Sequence, residues 1–144
     1  MPVFTNILVA MDGSEASQRA LSDAVDLAKL CNAKLHAIYV VETGLFSSLP
    51  MEGTVEIMYS VLEKEGEEVM ERAKKYAAGK GITVITHMNQ GHAGSEILAL
   101  AEEEKADLII VGSHGKSNTD RLLIGSVSTF VVAHSTITTM VVRS

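Results

Sequence analysis

The sequence predicts an α/β fold: a single domain, residues 1–144, in which a parallel sheet carries helices on both faces. Three observations point there. Short runs rich in Val and Ile alternate with segments of helical period, those runs are apolar throughout rather than at every second residue, and the turns between them are short. A chain of 144 residues suits one domain and buries roughly 70% of the surface that its unfolded form exposes.

"NILVA" (Asn6 to Ala10) is too short and too evenly apolar for an exposed helix, and the turn signal "DGS" follows it, so it reads as a buried strand. From Glu15 to Cys31, the residues Ala20, Leu21, Ala24, Val25, Ala28 and Leu30 recur at helical spacing, with Ser14 placed to cap the first turn and Asn32 to close the last. Cys31, the single cysteine, lies in that apolar run and reads as a buried structural thiol in a reducing compartment. "LHAIYVV" (Leu35 to Val41) is the second strand, and "ETGLFSSLPMEG" after it has the composition of a mobile loop. Thr54 opens a long helix with an apolar stripe of Val55, Met58, Val61, Leu62, Val69, Met70, Ala73 and Ala77. Its charged run "EKEGEEVMERAKK" is the solvated face.

"GKGITVITHM" supplies a helix stop and a third strand, and "SEILALAEEEKA" a third helix. "DLIIVGS" is a fourth strand, "SVSTFVVAHS" a last short helix and "ITTMVV" a fifth strand. In such sheets ligands bind beyond the carboxyl ends of the strands, where neighbouring connections leave in opposite directions. The turns after strands one and four, both rich in Gly, Ser and Asp, predict a shared pocket.

Composition narrows what that pocket holds. A net charge of -6 sets up no general field for DNA or RNA, so a bound nucleotide must be held by local backbone dipoles. The opening residues "MPVFTNILVAMDGSE" lack the pattern of a signal peptide, and no apolar run approaches membrane-spanning length, which predicts a soluble cytoplasmic protein with no membrane partner. His36, His87, His92, His114 and His134 are scattered without metal-site spacing, so none is read as a ligand.

The stretch "GSHGKSNTDRLLIGSVS" (Gly112 to Ser128) contains a Gly-Lys-Ser triplet, the ending of a Walker A loop. The first position of that pattern would be Ile110, inside a strand, and the match fails. Nor does "AMDGSEAS" contain the G-x-G-x-x-G of a dehydrogenase-type dinucleotide fold. What stands is Gly112, two residues, Gly115, nine residues, then Gly125-Ser126 opening a helix. The first pair permits a tight turn at a strand end, the second exposes helix N-terminal amides, and Ser126 and Ser128 add hydroxyl donors, so an anion is held from two sides.

G-x2-G-x9-G-[ST] is the nucleotide-binding signature of the universal stress protein family, which the chain resembles from "NILVAMDGSEAS" through "ADLIIVGSHG" and "LLIGSVS" to "MVVRS". The resemblance implies one Rossmann-like domain of the adenine nucleotide alpha hydrolase-like type, a five-stranded parallel sheet ordered 3-2-1-4-5, a homodimer, and an ATP, ADP or AMP site with Mg²⁺ as a companion ion. By position, Asp12 approaches the ribose or phosphates, and Val40 or Val41 meets adenine through backbone groups. Gly112, Gly115, Gly125, Ser126 and Val127 hold phosphates and ribose. The chain departs from the family at Asn118, where Gly is common, at Asp120 in the phosphate loop, and in "AHSTITTMVVRS", which lacks a Pro before the last strand.

Plainer readings stand beside these. The three glycines serve as turn residues only, Asp12 as a cap near the first helix, Lys116 as a solvated loop cation, and His114 as a solvent-facing ring. The edge strand at Ile137–Val142 either pairs with its copy in a homodimer or is blunted by Arg143. Function reads as nucleotide-dependent stress regulation. The alternatives are a slow ATP hydrolase, for which Asp12, Ser14 and Asp120 are metal candidates but no activating base stands out, and a dimeric adaptor that binds no nucleotide.

Overall fold

A computed structural model describes residues 3–43, 52–113 and 125–143. Strands and helices alternate as β1 (Asn6–Met11), α1 (Glu15–Cys31), β2 (Lys34–Glu42), α2 (Glu52–Gly79), β3 (Val84–Gly91), α3 (Ala93–Glu103), β4 (Leu108–Gly112), α4 (Ser126–His134) and β5 (Thr138–Val142). Every pairing is parallel and the order is β3-β2-β1-β4-β5.

The evenly apolar character of β1 follows from its central place. Ile7 and Val9 pack with α1 and α2 on one face, while Leu8 packs with α3 and α4 on the other. β2 and β4 divide in the same way, with Leu35 and Tyr39 against Ile38, and Leu108 and Ile110 against Ile109. Both faces therefore exclude water, and within these strands the buried side chains are apolar except for His36 and Tyr39 on β2.

α1 begins and ends where its cap residues predict. Gly13 turns the chain at φ +84, a backbone state open to glycine at little cost. Ser14 accepts the Ser17 N–H at 3.1 Å, and Asn32 closes the helix in the left-handed region at φ 56. Leu30 does not join the core: it is 82% exposed, because it lies about 200° around the helix from Ala28. Cys31 is half-buried rather than enclosed.

α2 buries Val69, Met70, Ala73 and Ala77, but Met58 and Val61 of the expected stripe are exposed. The helix runs 28 residues, about 42 Å, against strands of roughly 30 Å or less, so its first turns overshoot the sheet. At the other end of the chain, the junction that lacks a proline is fixed by Ser135. Its Oγ accepts the Ile137 N–H at 2.9 Å and donates to the Ile137 carbonyl at 2.8 Å.

Asp107 ties the start of β1 to β4. Its carboxylate accepts the Thr5 N–H and hydroxyl, each at 2.8 Å, and the Asn6 N–H at 3.0 Å. Burial acts to raise its pKa, but these hydrogen bonds together outweigh it and hold the group below the usual carboxylate range. A lowered carboxylate contributes stability that is present above the unfolded value and lost as pH falls through the folded one. Asp107→Ala is expected to lower stability at neutral pH by about 1–2 kcal/mol, the modest end because the site is partly solvated. In denaturant titrations the gap between variant and parent should close below about pH 4.

Candidate functional site

The connections of β1 and β4 leave toward opposite sides of the sheet, and a cavity of about 590 Å³ opens over their carboxyl ends. Asp12, Ser14 and Ser17 come to it from the β1–α1 turn, and Val40, Val41 and Glu42 from the end of β2. α2 gives Leu62, α3 gives Ala93 and Ile97, and Gly112, Gly125, Ser126, Val127 and Ser128 form the far wall.

Each wall has a physical cause. β2 pairs with β1 only as far as Tyr39, so Val40, Val41 and Glu42 extend beyond β1 with that side of their backbone unpaired by a strand. Asp12 accepts the Ser14 N–H at 2.8 Å through Oδ1, which sets the turn into α1. Its Oδ2 makes no hydrogen bond among the described residues. Tyr39 is buried against this carboxylate, and burial first, then the Asp12 charge, push its phenol pKa up, so it stays protonated.

The far wall is drawn together by hydrogen bonds. The Gly125 N–H donates to the Ser113 carbonyl, which brings together the two ends of the segment 114–124. Ser128 donates its hydroxyl to the Gly112 carbonyl, joining α4 to the end of β4. The Ser128 proton is therefore engaged within the wall, contrary to the expectation of a free hydroxyl donor. Gly112 is needed for another reason than a turn. Its φ is ordinary, and a Cβ there would lie 2.9 Å from the backbone of Ala16, so the glycine lets α1 approach β4.

Three helix N-termini surround the cavity and differ in one respect. α1 is capped by Ser14, and α3 is capped by the His92 ring and by Glu42, whose carboxylate accepts the Ala93 N–H at 2.8 Å. α4 begins at Gly125 with no side-chain cap among the described residues. Its first N–H groups are those left for an anion.

The profile of the Universal stress protein family matches residues 4–143. The chain belongs to the universal stress protein family. A universal stress protein of Methanocaldococcus jannaschii is 37% identical over 141 residues, covering 98% of this chain and 83% of that protein. Universal stress protein UspA from Lactobacillus plantarum superposes with a TM-score of 0.88 at 27% identity, over 96% of this chain and 97% of that one. A universal stress protein solved in complex with cAMP is 26% identical, with a TM-score of 0.69 and 97% of both chains covered.

Of the residues expected at a universal stress protein site, Asp12, Val40, Val41, Gly112, Gly125, Ser126, Val127 and Ser128 line one cavity. Gly115, with His114, Lys116, Asn118 and Asp120, lies outside the described residues, as does most of the loop after β2. Tyr39, Glu42, Leu62, Ala93 and Ile97 also line it and were not singled out by the sequence. The signal for Glu42 was its place directly after a buried parallel strand. Among the described residues no cluster of three or more His, Cys, Asp or Glu side chains is arranged to hold a metal ion, and no helix is long and apolar enough to cross a membrane.

Proposed function

We propose that the cavity binds one adenine nucleotide, ATP or its relatives ADP and AMP, and that the bound state regulates a stress response. The observation that carries this reading is the N-terminus of α4, uncapped among the described residues, facing a cavity on which the capped N-termini of α1 and α3 also converge. The N–H groups of Ser126, Val127 and Ser128 would hold phosphate, with Gly112 and Gly115 giving the backbone room. Asp12 Oδ2 would accept a ribose hydroxyl or help hold a Mg²⁺ companion, and the backbone of Val40 or Val41, past the last β1 pairing, would read adenine. The volume falls within the usual range for small-ligand pockets, and the relative crystallised with cAMP supports the ligand class.

In this reading residues 1–144 act as one universal stress protein domain in the cytoplasm, paired with a second copy through the edge strand β5 near Ile137–Val142. Nucleic acid is not a partner. No step of ATP hydrolysis is assigned to the side chains of the cavity.

Calorimetric titration with ATP, ADP, AMP and cAMP tests the reading. One nucleotide per chain is expected to bind saturably. Asp12→Asn keeps the acceptor for Ser14 and is expected to weaken binding about tenfold, equivalent to roughly 1.4 kcal/mol. No saturable heat with any of the four would leave an adaptor role without nucleotide, and steady turnover lost in Asp12→Asn would make the protein a hydrolase.

A further inference from the structure

His36 on β2 is 2% exposed. Its Nδ1 lies 3.0 Å from Nε2 of His87 on the edge strand β3, with the rings stacked at a centroid distance of 5.2 Å. Among the described residues its Nε2 has no hydrogen-bond partner, and it faces the carboxylate of Glu104 at the C-terminal end of α3, with Oε2 4.0 Å away. Lys34 on β2 is the other charged group acting on it. From β1 comes only the uncharged Asn6, whose side-chain amide donates to the Glu104 carbonyl.

We propose that the His36–His87 pair is a one-proton joint between β2 and the edge strand β3, closed while the pair is neutral or singly protonated and opened when both rings are charged. The chemistry follows from the donor count. In the neutral pair one N–H fills the gap between the rings. A carboxylate only accepts, so Glu104 favours the tautomer with hydrogen on His36 Nε2, and His36 Nδ1 then accepts from His87 Nε2–H. A proton added to His87 goes to its Nδ1 and leaves this bond in place, now charge-assisted. A proton on His36 takes Nδ1 and can be donated to a neutral His87 whose Nε2 is bare, so only with both rings charged do two N–H donors face each other across 3.0 Å.

The surroundings of His36 act in the same direction. Burial lowers its pKa most, Glu104 opposes this, and His87 and Lys34 add to the lowering. The unfolded chain takes two protons on these rings and the closed joint takes one, so the unfolded state binds more protons as pH drops below about 6.5. Stability is therefore complete above that value and lost below it, by up to about tenfold in the folding constant per pH unit.

Nitrogen-15 NMR of the full chain between about pH 4.5 and 7.5 tests this directly. We expect His36 Nδ1 to report a bare acceptor in the neutral pair, and at most one of the two rings to be charged while their contact holds. At lower pH, amide protection in Val84 to Met88 of β3 should fall before that of α1. In denaturant titrations His36→Leu should remove one proton's worth of pH slope. The proposal is overturned if both rings charge with β3 protection unchanged, or if His36→Leu keeps the full slope. Should His36→Leu fail to fold, the titration of the parent protein decides.

Discussion

Gly112→Val is expected to destabilise the protein by about 3 kcal/mol and to abolish nucleotide binding. A Cβ at this position would lie 2.9 Å from both the carbonyl carbon and the Cβ of Ala16, and 3.1 Å from its carbonyl oxygen. These are mostly backbone atoms of the first turn of α1, and Ala16 is fully buried, so no rotamer change relieves the overlap. Either α1 lifts or the end of β4 retreats, and the second carries with it the carbonyl that holds Ser128. Scanning calorimetry should show a melting temperature lower by on the order of 10 °C, and Gly112→Ala a smaller loss in the same direction. An unchanged melting temperature with binding intact would remove the close approach of α1 and β4 from the account of this site.

Gly66→Leu should have an effect of similar size from the opposite side of the cavity. Gly66 lies inside α2, where glycine is about 1 kcal/mol worse than alanine on propensity alone. Packing reverses that preference. A Cβ there would lie 2.5 Å from Cδ1 of Tyr39 and 2.7 Å from the terminal methyl of Met88. The methionine can bend away, but Tyr39 is a buried ring that also lines the cavity. We expect a loss of about 3 kcal/mol, a changed near-ultraviolet tyrosine signal, and weaker nucleotide binding. Gly79→Ala is the control, because nothing lies within 4 Å of its added methyl. It should be neutral or stabilising by up to about 1 kcal/mol, and equal losses in both variants would rule out the contact with Tyr39 as the cause.

The central strands were legible because both of their faces are buried, which leaves an apolar run that no exposed helix would carry. β3 was legible only to Met88. It continues through Asn89 and Gln90, which pair with Val40 and Val41, and their polarity suits an edge strand near solvent while hiding it from a hydrophobicity reading. α3 starts at Ala93, earlier than Ser95, because His92 is its cap: Nδ1 accepts the Ser95 N–H at 3.1 Å, a role usually given to Ser, Thr, Asp or Asn. At the cavity, the glycine spacing pointed to residues of one wall, but the physical cause at Gly112 is contact with Ala16, a residue almost a hundred positions away. Tyr39, Glu42 and Ile97 escaped notice for the same reason, since only the pairing of distant strands brings them to one place.

The strand order has a consequence for how the molecule is made. Residues from β1 to β3 pair among themselves as a contiguous half, whereas β4 must return past two strands to reach β1. Such long-range closure is slow compared with local pairing, so during synthesis the first half can assemble while the rest of the chain is still emerging. That half carries Asp12 and Val40 but none of the residues from Gly112 to Ser128. A nascent chain thus has a cleft with one wall, and the cavity proposed for nucleotide is complete only once the last two strands dock, so any ligand it takes would report completed folding.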